Sequence, residues 1–118
     1  MSDYAPIFQG PPPFTATVGV AVVGGNVVDV AASGTIQPAA AASVSVCGVA
    51  AFDAAANAVV TVFRGGIQEL VANGTVTAGQ QVESAGSGQV RTLAAGRAVG
   101  VALTTATNGN KTQVAFTA

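Results

Sequence analysis

Few residues in this chain can carry chemistry. Its carboxylates are Asp3, Asp29, Asp53, Glu69 and Glu83, and its cations are Arg64, Arg91, Arg97 and Lys111. Cys47 is its single thiol, and it has no His and no Trp. Acid–base catalysis and metal ligation draw on clusters of these side chains. Here a hydrolytic dyad or cation site would have to come from Asp29, Asp53, Glu69 or Glu83, which are scattered along the chain. Solvated strand positions account for them more simply. Cys47 has no His to activate it and fits a small buried hydrophobe. The expectation is a protein that is not an enzyme and takes no cofactor and no metal.

Two phosphate-loop fragments fail on inspection. Gly109-Asn110-Lys111-Thr112 lacks the Gly directly before Lys and the Gly five residues earlier, and Gly86-Ser87-Gly88 has Arg91 at its third glycine position. Both read as turns between strands. Asn73-Gly74-Thr75 and Asn110-Lys111-Thr112 match a glycosylation sequon but read as a hairpin turn and a turn exit. The arginines are more informative. In a chain with so few charges, Arg64, Arg91 and Arg97 are each a candidate interface contact, since Arg is enriched where proteins bind one another.

The elements that must position these side chains are built from small apolar residues. Of 118 residues, 50% are hydrophobic, and Leu occurs only at 70, 93 and 103. The net charge of −1 argues against nucleic acid, and it permits close packing of many copies with little repulsion. The uncharged stretches Tyr4–Val28 and Val30–Phe52 contain Pro6, Pro11, Pro12, Pro13, Gly34 and Pro38, so neither reads as a membrane span. No basic region precedes an apolar run at the N-terminus, so no signal peptide is expected.

Residues 1–14 differ from the rest. Pro11, Pro12 and Pro13 favour polyproline II geometry and donate no backbone hydrogen bond. Tyr4, Ile7, Phe8 and Phe14 give this segment apolar side chains that a solvated tail does not need. It reads as an extended arm that lies on a neighbouring subunit, ahead of a β-domain at 15–118.

From Thr15 onward, period-two alternation dominates: Ala16, Val18, Val20 and Val22 alternate with Thr15, Thr17, Gly19 and Ala21. Further strands are expected around Val28–Val30 and Val44–Val46, then at 59–64, 67–71, 81–84, 89–93, 99–103 and 112–116. Ser33-Gly34, Gly65-Gly66, Asn73-Gly74, Ser87-Gly88 and Asn108-Gly109 mark turns between them. Ala-rich stretches at 39–42 and 54–58 could hold a short helical turn. The pattern indicates an all-β single domain, a small barrel or sandwich.

An internal repeat reinforces it. At an offset of 54, Gly25, Val28, Asp29, Ser33, Gly34 and Ile36 meet Gly79, Val82, Glu83, Ser87, Gly88 and Val90. After a two-residue slip, Gly48-Val49-Ala50 meets Gly100-Val101-Ala102, and Ala54 meets Ala106. The domain is therefore expected to consist of pseudo-duplicated halves.

Gly48–Ala50, Val62–Gly66, Ala72–Val82 and Gly100–Leu103 carry a "GVA" strand before an Ala-rich loop, a "V-x-R-G-G" segment, an "A-x-G-x-V-x-A-G-x-x-V" turn and a final "G-V-A-L" strand. Over roughly residues 10–117 the chain resembles the capsid cement, or head decoration, proteins of tailed bacteriophages. The resemblance implies a β-barrel-like protein on the outer surface of the expanded head, made in the bacterial cytoplasm. It implies a homotrimer that clamps neighbouring copies of the major capsid protein, its partner. Tyr4, Ile7, Phe8, Pro11, Pro12, Pro13, Phe14, Arg64, Arg91 and Arg97 are the candidates for contact with capsid or sister subunits. The alternatives are a minor tail or fibre β-domain, or a carbohydrate-binding sandwich, which the absence of Trp disfavours.

Overall fold

The computed structural model describes residues 13–117. Tyr4, Ile7, Phe8, Pro11 and Pro12 of the expected arm lie outside the described residues. Ten strands follow one another: β1 (Phe14–Val18), β2 (Val27–Ala32), β3 (Thr35–Pro38), β4 (Val46–Ala50), β5 (Val59–Phe63), β6 (Ile67–Val71), β7 (Gln81–Gly86), β8 (Gln89–Thr92), β9 (Gly100–Ala102) and β10 (Lys111–Phe116). There is no helix among the described residues. The Ala-rich stretches expected to hold helical turns instead form lone bridges and turns, Ala41 pairing with Ala85 and Ala54 with Val22.

The first five strands close a barrel in the order β1-β3-β2-β4-β5. Strand β1 runs antiparallel to β5, with Phe14 opposite Val62, and parallel to β3, with Val18 opposite Ile36. The last five strands repeat this plan in the order β6-β10-β9-β7-β8. There the parallel pairing shrinks to one bridge, Ala72 to Val90, at the positions that correspond to Val18 and Ile36.

The duplication read from the sequence holds down to single hydrogen bonds. The Val22–Ala54 bridge recurs as Val76–Ala106. The Gly25 amide donates to the Ala50 carbonyl at 2.8 Å, and the Gly79 amide to the Ala102 carbonyl at 2.7 Å. Asp29 stands across the ladder from Gln37, and Glu83 from Arg91. Each hairpin turn places a Gly at positive φ, Gly34 at 76° and Gly88 at 75°, a region costly for any residue with a Cβ.

Several strand bounds differ from the alternation pattern; the strand expected around Val44–Val46, for one, runs from Val46 to Ala50. β1 stops at Val18, and the Gly19 amide donates to the Ile36 carbonyl as the chain leaves the sheet, so Val20 lies exposed rather than in register. β3 lies outside the strands that the alternation predicts, and it ends at Pro38. Pro38 pairs only with Val28, while β1 reaches no further along β3 than Ile36, so the missing N–H leaves no gap in the ladder.

Packing is done in two cores. Val18, Val22, Val28, Ile36, Ala50, Val60 and Val62 fill the barrel. A larger core joins the halves: Val27, Ala39, Val46 and Val49 of the first pack with Leu70, Val82, Val90, Val99, Val114 and Phe116 of the second. Such dense packing demands glycine at two equivalent positions. A Cβ on Gly48 would strike the Phe63 carbonyl oxygen and Val62 Cγ1, and one on Gly100 the Ala115 carbonyl oxygen and Val114 Cγ1. Gly48→Ala and Gly100→Ala are each expected to destabilise the domain by about 1–3 kcal/mol through overpacking. Gly48 and Gly100 should lose similar amounts in denaturant unfolding; a neutral result at either position would contradict this packing.

Candidate interaction surface

The acidic residues are structural. Asp29 and Glu83, expected at solvated positions, are buried, at 3% and 0% exposure. Each projects from the middle of a long strand (β2 or β7) and ties down the loop after the following strand. Asp29 Oδ2 accepts from the Ser43 hydroxyl at 2.7 Å and the Ala40 amide at 3.2 Å. Glu83 Oε1 accepts from the amides of Gly96 at 2.6 Å and Ala95 at 3.1 Å, and its Oε2 takes Arg91 Nε at 2.7 Å. A polar pattern on a strand suggests solvent; only the folded-back loops show that the carboxylates face inward.

The halves differ at one cross-strand partner. Where Glu83 has Arg91, Asp29 has Gln37, and Asp29 Oδ1 is buried without a hydrogen-bond partner. Asp53 caps a turn through the Gly24 amide at 2.9 Å. Cys47 is half-buried against the barrel core, its thiol directed at the Val28 carbonyl at 3.7 Å. Burial, and then the Asp29 charge, push the Cys47 thiol up, so it is poor in the reactive thiolate. Among the described residues no three His, Cys, Asp or Glu side chains converge on a metal-sized site.

Among the described residues, Pro13, Phe14, Arg64, Arg91 and Arg97 lie on different elements. Pro13 is exposed at the start of the described chain. Phe14 begins β1 and packs against the barrel core, so its ring belongs to the domain. Arg64 is exposed at the turn between the halves, and Arg97 is exposed in the loop that Glu83 holds. Arg91 is drawn onto Glu83, though 37% of its side chain stays exposed.

Exposed apolar surface was less legible in the sequence. Val30 is 50% exposed and Val44 70%, and the Val30 amide donates to the carbonyl of Ser45, Val44's neighbour. Beside Val30 an apolar groove of about 210 Å³ is lined by Phe14, Ala16, Gly34, Ile36 and Cys47. The one signal available was the repeat, in which Val30 stands where the second half has Ser84. A more polar cleft of about 170 Å³ lies where the Asn26 turn meets the Ser87–Gln89 hairpin, with Glu69 and Lys111 on its wall. Among the described residues, Glu69 and Lys111 are the ionisable groups on the cleft wall, and Cys47 is the one lining the groove. What the surface offers is apolar contact.

The fold is similar to that of a bacteriophage head fiber base. The solved structure of the head fiber gp8.5 N base of bacteriophage phi29 superposes with a TM-score of 0.73, covering 90% of this chain and 93% of that one. Sequence identity between them is 16%, so the likeness is one of fold. No family model matches the chain, and no curated protein matches it. The neighbour spans both halves, so the duplicated unit as a whole is the shared architecture.

Glu83 gives the domain an acid-sensitive point. Burial acts to raise its pKa, but the Gly96 amide, the Arg91 guanidinium and the amides of Ala94 and Ala95 outweigh it and hold the carboxyl at about 2, against an ordinary 4.5. A depressed carboxyl contributes stability that is complete above its unfolded pKa and is lost as pH falls toward the folded one. Chemical denaturation should therefore show stability dropping between about pH 4.5 and pH 2. Glu83→Gln should cost about 1–3 kcal/mol at neutral pH, the scale of hydrogen bonds to a charged group. It should also flatten the acid slope, and an unchanged slope would remove Glu83 from this role.

Proposed function

We propose that this chain is a structural virion protein that binds the outer surface of the expanded phage capsid and cements neighbouring major capsid proteins. The observation that carries the reading is the fold shared, over nearly the whole of both chains, with a phage head fiber base. The repeat, the near-neutral charge and the small, dense core suit a part that is present in many copies on a lattice. Its work is mechanical. A copy that touches two or more capsid subunits opposes their separation, because whatever binds only the assembled state shifts the equilibrium toward it.

In this reading the chain acts as a homotrimer, with the major capsid protein and its own sister copies as partners. Tyr4, Ile7, Phe8, Pro11, Pro12 and Pro13 supply the arm. Arg64 and Arg97 are exposed charges available to the capsid, and Arg91 presents the open side of a guanidinium already positioned by Glu83.

The same observation favours a second reading, that the domain is the head-bound base of a fibre. The two differ in stoichiometry: cementing calls for a fixed, high ratio to major capsid protein, and a fibre base for fewer sites. Co-sedimentation with expanded, undecorated heads of its phage, titrated to saturation, distinguishes them. Saturable binding to expanded heads, with poor binding to unexpanded ones, is the expected outcome; absence of binding to either rejects head attachment. Deleting residues 1–13 should leave a folded domain with weaker head binding, and unchanged affinity would reject the arm.

A further inference from the structure

The two halves are built alike but covered differently. In the second half, Leu70, Val90 and Val99 are fully buried in a core they share with Val27, Ala39, Val46 and Val49 of the first half. The seam is closed by the Val27 amide donating to the Gly88 carbonyl at 3.0 Å and by the Ala42 amide donating to the Ser84 carbonyl at 2.8 Å. By the repeat, the first-half counterparts of Leu70, Ser84, Gly88, Val90 and Val99 are Ala16, Val30, Gly34, Ile36 and Cys47. Those residues line the open apolar groove. Among the described residues the groove is thus the uncovered twin of a seam that is closed elsewhere in the same molecule.

The covering surface has a twin as well. Val27, Ala39, Val46 and Val49 correspond to Gln81, Leu93, Ala98 and Val101 of the second half. Gln81 is exposed, and Leu93, Ala98 and Val101 are partly so. The seam joins unlike faces, the β2–β4 side of one half to the β7–β8 hairpin of the other. Such a head-to-tail contact always leaves one donor face and one acceptor face unused, and repeating it builds a ring or a filament.

We propose that the groove around Val30 receives the Gln81–Leu93–Val101 face of a second copy of this chain, repeating between molecules the seam that joins its halves. The occupant is set by continuity with the internal seam: the matching covering surface already exists on the chain and is uncovered. This deepens the self-association in the proposed function and rests on it, while naming the surface.

The experiment is sedimentation of the full chain beside Val30→Arg and Leu93→Arg, each checked for an unchanged circular dichroism spectrum and melt. The wild type should sediment as an oligomer and each variant as a monomer. Mixing the two variants should restore a dimer and nothing larger, because each retains one intact face. As a second measurement that tolerates a poorly folding Arg variant, Ser33→Cys and Gln80→Cys, each in a Cys47→Ala background, should form a disulfide when mixed. Gln80 is the counterpart of Asn26, and Ser33 adjoins Gly34, the counterpart of the Gly88 that Asn26 approaches within the molecule. A wild-type oligomer unaffected by either Arg variant, with no mixed disulfide, overturns this surface but leaves self-association standing. A wild-type chain that stays monomeric at its highest soluble concentration while saturating expanded heads overturns the inference and leaves head binding intact.

Discussion

Val27–Asp29 of β2 and most of β4 are buried on both faces, and the rest of the molecule is arranged around that constraint. Val28 and Ala50 face the barrel core, while Val27, Val46 and Val49 face the core shared with the second half. A strand with two apolar faces has no side it can leave to water, so each face must find its own cover. The barrel supplies one cover and the second half the other. This joins the halves through a shared core, although each has its own ladder of hydrogen bonds.

Charge serves this packing. Asp29 and Glu83 sit where a strand passes under its own loop, and each holds backbone amides of that loop. The loops they hold, after β3 and β8, border the seam. Ala42 reaches across to Ser84 there, and a Cβ on Gly96 would collide with the Ala42 backbone. A buried carboxylate that grips a loop thereby fixes the geometry by which one half meets the next. The fold's likeness to a phage head fiber base, at 16% identity, shows that this two-unit plan can be kept while its side chains are replaced.

Much of the architecture was legible in the residues. The strands at β5, β6, β8 and β10 follow from period-two runs bounded by Gly turns, because alternation and positive-φ glycines are local properties. The repeat was legible too, and it could have recovered β3, since Thr35–Pro38 matches the strand-like Gln89–Thr92 at the same offset. The inward turn of Asp29 and Glu83 was not legible. It depends on loops that begin ten or more residues away, and no pattern along a strand records what folds over it.

By itself, then, the sequence determined an all-β chain in two related halves, because turn glycines and alternating valines act over a few residues. Only the tertiary structure decided how the halves differ. Equivalent positions such as Ile36 and Val90, or Val30 and Ser84, acquire different surroundings from the way one half docks on the other. The docking is head to tail, so it covers one copy of each face and exposes its twin. That asymmetry comes from the contact between the halves, and no repeat within the chain encodes it.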